Sequence, residues 1–130
     1  MQKISKIIFF ERLIRDIQST NESTREFASE ILCDFIEFDM ADFDLKVLKN
    51  GIEKIIEQLK IEKIVTVEQK LAEVLFEFIW SEKITEKEEL ELVERLTEIN
   101  SYQIRNYLDD EYYLKIPKVK EYVERNKTSG

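Results

Sequence analysis

Glu30-Ile31-Leu32-Cys33-Asp34-Phe35-Ile36 reappears 43 positions later as Glu73-Val74-Leu75-Phe76-Glu77-Phe78-Ile79. Each position keeps its character except Cys33 against Phe76, and that pair is still apolar. Ser23 and Thr66 share the same offset. Each is followed three residues on by Glu26 or Gln69, the pattern in which a hydroxyl and a reciprocal side chain satisfy the free amides of a starting helix. Further on, Ile52, Ile56 and Leu59 match Leu92, Leu96 and Ile99 at an offset of 40. Phe10, Ile14 and Ile17 overlay Ile52, Ile56 and Leu59 at an offset of 42. One such unit cannot bury its apolar face alone, so a chain that repeats it must stack the copies.

The units are helical. Ile4, Ile7, Ile8, Leu13, Ile14 and Ile17 recur at three- and four-residue spacing and predict a helix over residues 2–19. Phe27, Ala28, Ile31, Leu32, Phe35 and Phe38 predict a second that ends near Phe38. Asp44 is a candidate N-cap for a third, whose stripe of Leu45, Leu48, Ile52, Ile55, Ile56 and Leu59 keeps phase across Asn50-Gly51. Glycine weakens a helix interior, so a bend or break is open at that point. Thr66 with Gln69 opens a fourth helix, with Val67, Leu71, Val74, Leu75, Phe78 and Ile79 inward. Thr85 with Glu88 opens a fifth, with Leu90, Val93, Leu96 and Ile99 inward. Tyr102 to Leu108 predicts a short helix, and Pro117, suited to a first helical turn, starts another through Val119, Tyr122 and Val123.

A period of about 40 to 47 residues with two helices per repeat is the range of HEAT and armadillo arrays. The chain resembles a short HEAT-like α-solenoid: an all-α bundle of six to seven helices in stacked antiparallel pairs. On this reading residues 1–130 are one domain. Residues 1–22 form a capping helix, 23–61 and 62–100 the two helix pairs, and 101–130 the short C-terminal helices. Stacked pairs leave an extended surface, and such surfaces serve binding.

The inventory of reactive groups points the same way. The chain has no histidine, which removes the commonest general base and zinc ligand and every Ser-His or Cys-His pair. Gly51 and Gly130 are the two glycines, too few for a phosphate-cradling loop. Asp39, Asp42 and Asp44 have a D-x-x-D-x-D spacing but lack the glycine and terminal glutamate of a calcium loop; a solvated inter-helix loop with an N-cap accounts for them equally. No cofactor or metal is expected. The lone Cys33 lies on the apolar phase, as a core residue rather than a nucleophile. A single cysteine and a first segment without signal-peptide character suit a reducing, cytoplasmic setting.

The net charge is −8, and residues 21–100 carry all of the excess acid. That field repels phosphate backbones, so nucleic acid is not an expected ligand, and it steers a basic partner toward the middle of the chain. No apolar run is long enough to span a membrane. Candidate contacts are the acidic segment with Asp39, Asp42 and Asp44, the fifth-helix face with Glu88 and Glu91, and the aromatics beside acids: Trp80, and Tyr112 next to Asp109, Asp110 and Glu111. Tyr112 and Tyr113 cannot both face inward if helical.

A small, acidic, histidine-free stack of HEAT-like repeats over residues 23–99 resembles the all-helical immunity proteins of bacterial polymorphic-toxin and contact-dependent inhibition systems. The resemblance implies a protein that binds a cognate, often basic toxin domain and occludes its active site. A scaffold or regulatory adaptor for a basic protein would use the same surface. Catalysis by carboxylates alone is the remaining reading, and the chain is not expected to be an enzyme.

Overall fold

A computed structural model describes residues 3–40 and 43–128. It is all-α, with eight helices among the described residues. The chain divides into two compact units, residues 1–83 and 84–130.

The first unit holds α1 (Lys3–Asp16), α2 (Glu22–Asp39), α3 (Leu45–Leu59) and α4 (Val65–Ile79). α1 runs antiparallel to α2: Lys6 pairs with Asp39 at 2.9 Å, while Phe9 and Phe10 stack on Phe35. Phe10, Phe35 and Phe43 form a ring cluster with centroids 5.1 to 5.7 Å apart, in the tilted and edge-on geometries aromatic quadrupoles favour. α2 lies beside α4 and parallel to it, since Arg25 meets Glu62 near the starts of the two helices and Cys33 meets Lys70 further along. α1 packs on α2, α3 on α4, and α1 also on α3. α5, expected to complete the second pair, belongs to the second unit.

Two predicted caps fall elsewhere. α2 is capped by Asn21, extended at φ −84° and ψ 118°, whose side-chain oxygen accepts the Thr24 amide at 2.9 Å; Ser23 is already inside the helix. α4 starts after Ile64 with no side-chain cap, and Thr66 lies within it. The Arg25 guanidinium explains the first shift, because it donates to the Ser19 carbonyl and fixes the turn ahead of the helix. Glu62 explains the second, its carboxylate accepting the amides of Lys63 and Ile64 at 3.2 Å each. Asn21 and Ile64 are still 43 residues apart, so the repeat survives in the helix starts although the capping chemistry differs.

α3 is continuous through Asn50-Gly51, and the glycine has a packing reason: a Cβ there would sit 2.4 Å from the Phe10 ring of α1. Asp44 caps α3 as expected, accepting the Lys46 amide at 2.9 Å and the Val47 amide at 3.3 Å.

The second unit holds α5 (Glu86–Leu96), α6 (Tyr102–Leu108), α7 (Glu111–Leu114) and α8 (Pro117–Thr128), with α8 packed on the other three. Leu92, Val93, Leu96, Ile104, Leu108, Val119 and Val123 bury its core. The Tyr122 hydroxyl, buried with its ring, donates to the Ile99 carbonyl at 2.7 Å. α7 is the helix the periodicity did not predict. Asp109 leaves helical geometry at φ −80° and ψ 67°, and Asp110 starts one new turn by accepting the Tyr112 amide at 2.9 Å. No described helix is long and apolar enough to cross a membrane.

Candidate functional site

The side chains singled out from the sequence have separate placements. Asp39 is neutralised by Lys6, Asp44 is occupied with its helix start, and Asp42 lies outside the described residues. Glu88 forms the predicted capping box with Thr85, each bonding the other's backbone at 3.0 to 3.1 Å. Asp109 and Asp110 shape the turn between α6 and α7. Glu91 and Glu111 are exposed. Trp80, just past the end of α4, stacks on Phe76 at 5.7 Å and leaves half of its surface exposed. Asp44, Glu88 and Asp110 thus serve local backbone chemistry, where a carboxylate at a helix start accepts free amides.

Two grooves of the second unit hold candidate contact residues: one of about 430 Å³ brings Asp109 and Glu111 together with Lys115, Lys120 and Glu124, and the other holds Tyr112. Between α5 and α7 this open groove of about 410 Å³ is lined by the apolar Leu90, Val93 and Ile116, the rings of Tyr112 and Tyr113, and the charged Glu86, Lys87 and Glu89. Tyr113 is buried and Tyr112 is 58% exposed, so the two rings divide between core and solvent as helical phase requires, packed edge-on at 5.1 Å. The Tyr113 hydroxyl donates to the Glu89 carboxylate at 3.1 Å, which ties α7 to α5 and sets the width of the groove. Leu90, expected inward, is 42% exposed on the groove rim. α5 buries Leu92, Val93 and Leu96 instead, an arc that turns Leu90 out of the core. Glu88 and Glu91 project from other sides of α5 and do not line the groove.

A second set of residues was expected inside and lies outside. Phe27 and Phe38 are 67% and 77% exposed, and Ile8 is exposed on α1. α2 buries Ala28, Ser29, Leu32, Phe35 and Ile36, an arc that leaves Phe27, Ile31 and Phe38 along its opposite side. The signal was present in the sequence: Asp34 shares the phase of Phe27, Ile31 and Phe38, and a stripe with a carboxylate in its middle does not suit a core.

The buried polar centre of the first unit is structural. Glu62 is buried and accepts two hydrogen bonds from the Arg25 guanidinium, at 2.9 and 3.0 Å, and one from Gln58 at 2.9 Å. Burial alone would raise its pKa. The bonds from Arg25, Gln58 and the Ile64 amide outweigh that and hold the carboxyl below the usual range.

Cys33 is half-buried between α2 and α4, its thiol donating to the Lys70 carbonyl at 3.2 Å with the Glu73 carboxylate 3.4 Å away. Burial and that carboxylate push its pKa up to about 12, which opposes the thiolate a nucleophile needs. Alkylation of the folded protein by iodoacetamide at pH 8 is expected to be on the order of a hundredfold or more slower than that of a free cysteine. Unfolding in urea should restore the ordinary rate. Labelling of the native protein at that ordinary rate would contradict the assigned environment.

Among the described residues no three carboxylate or thiol side chains are placed to hold a metal ion. No protein-family model matches the chain, and neither a curated protein nor a solved structure is significantly similar to it.

Proposed function

We propose that this chain is a protein-binding module that acts as an immunity protein, neutralising a cognate bacterial toxin domain by occluding its active site. The observation that carries this reading is the groove between α5 and α7. Exposed Leu90 and Tyr112 stand beside Glu86, Lys87 and Glu89, two acids to one base, with Glu111 exposed next to Tyr112. An aromatic anchor in an apolar cleft with a rim of net negative charge is how a protein interface gains both affinity and selectivity for a basic partner. The chain's net charge of −8 supports the same sign of partner and favours rapid association. A chain without histidine and with its one cysteine held as a thiol supports binding over catalysis. A cytoplasmic setting, where a toxin domain would meet its inhibitor, fits this role.

The test is affinity capture from the native cell with the full chain and with a Leu90→Ser/Tyr112→Ser variant as baits. Washing in 1 M salt, where the screening length falls to about 3 Å, removes partners held by charge alone. The proposal expects one basic protein retained by the natural chain and lost from the variant. Expression of that protein alone should inhibit growth, and co-expression of the natural chain should relieve it. Identical retention on both baits, or a captured protein with no effect on growth, would overturn the reading.

A further inference from the structure

The offset of 43 that maps α2 onto α4 also maps their surroundings. α2 covers one flank of α4, with Cys33 on the Lys70 carbonyl and beside the Glu73 carboxylate. The residues 43 positions before Lys70 and Glu73 are Phe27 and Glu30, and both are exposed. The flank of α4 that α2 covers therefore has its counterpart on the side of α2 that carries Phe27, Glu30, Ile31 and Asp34. Val74 is buried in α4, whereas its counterpart Ile31 is only half-buried. Terminal repeats of a stack normally turn a polar face outward. This one presents two phenylalanines.

Phe27, Ile31, Asp34 and Phe38 follow one another at steps of four, three and four residues, the spacing of a helix–helix seam, over about 16 Å of helix. Glu26, Glu30 and Glu37 are exposed along the same helix and, with Asp34, take part in no ion pair among the described residues. No lysine or arginine occurs from residue 26 to residue 38.

We infer that this side of α2 docks one cationic amphipathic helix of a protein partner, lying along α2 as α2 lies along α4. Its apolar seam covers Phe27, Ile31 and Phe38, and a lysine or arginine stands opposite Asp34. A second copy of this chain suits the site poorly, because it would bring the same acids together and close Asp34 into the seam without a counter-charge. The inference stands on the first unit alone and is independent of the groove beside Tyr112.

The experiment is a calorimetric titration of the full chain with a synthetic three-heptad helical peptide, leucine at its seam positions and lysine on its flanks. A scrambled peptide of the same composition and a glutamate-flanked version serve as controls. Binding is expected for the first peptide only. It should weaken at least about tenfold in a Phe27→Ser/Phe38→Ser variant and in Asp34→Lys, and stay unchanged in Tyr112→Ser. All four side chains are exposed, and circular dichroism checks that each variant is folded. Absence of binding, equal binding of the scrambled peptide, or full affinity in the Phe27→Ser/Phe38→Ser variant would each overturn the inference. So would a concentration-dependent dimer in sedimentation that Phe27→Ser abolishes, since a second copy would then be the occupant.

Discussion

Arg25→Ala is expected to destabilise the first unit by about 3–5 kcal/mol at neutral pH, the range for breaking one side of a buried, hydrogen-bonded ion pair. Glu62 would keep its charge in a buried site with Gln58 and two backbone amides as its remaining partners. The turn before α2 would also lose the guanidinium that holds the Ser19 carbonyl. A domain is stable by only about 5–15 kcal/mol, so the loss should appear as a large fall in the urea midpoint. Trp80, the one tryptophan, lies in the first unit and reports its unfolding. Arg25→Met/Glu62→Met removes both charges and should recover much of the loss, because the cost lies in the unpaired carboxylate.

The pH dependence follows from the direction of the Glu62 shift. A carboxyl held below its unfolded value of about 4.3 contributes its stabilisation fully above that value and loses it as pH falls through the lower, folded one. In Arg25→Ala the desolvated carboxylate has lost its cation, so acid relieves the penalty instead. The stability gap between natural chain and variant should therefore be widest at neutral pH and narrow in acid, first as pH falls through the variant's raised carboxyl value and then through the lowered value of the natural chain. A gap that widens in acid would contradict the assigned pairing.

Gly51→Ala is the second large effect, and its sign is diagnostic. In an ordinary helix interior the change would stabilise by about 1 kcal/mol. Here the new Cβ would lie 2.4 and 2.6 Å from two ring atoms of Phe10 and 3.2 Å from the Ile14 side chain. Phe10 is fully buried in the Phe35–Phe43 cluster and cannot yield without disturbing it. Overpacking of this kind costs about 1–3 kcal/mol, so the urea midpoint should fall. Pairing Gly51→Ala with Phe10→Leu should restore part of the loss by making room. A rise in stability for Gly51→Ala alone would mean that α1 and α3 do not approach as described.

The behaviour of Gly51 shows where sequence reading stops. The phase of Leu48, Ile52, Ile55 and Ile56 was enough to carry α3 through the glycine, because burial of one stripe outweighs one weak residue. Why glycine stands there depends on Phe10, about 40 residues away, and no local pattern contains that contact. The same division holds for the caps. Asp44 and the Thr85–Glu88 box are set by residues within one turn and were legible. Ser23 and Thr66 gave way because Arg25 and Glu62, from neighbouring turns, decide where α2 and α4 begin.

The candidate surfaces follow this rule too. That Tyr112 faces out while Tyr113 faces in was legible from helical phase. The groove beside them was not, since α5 and α7 meet only through tertiary packing and the Tyr113–Glu89 bond. Hydrophobicity alone places Phe27 and Phe38 inward, whereas Asp34 in the same stripe marks that face as open. Acidity alone does not separate contact residues from helix caps, and Asp44, Glu88 and Asp110 are engaged at helix starts.

The central claim, that this chain works by binding a basic protein through the groove between α5 and α7, is tested most directly by calorimetric titration of the captured partner. The account predicts one-to-one binding by the natural chain and a loss of at least about tenfold in affinity for Leu90→Ser/Tyr112→Ser. Equal affinity of the two, with both folded, would contradict it.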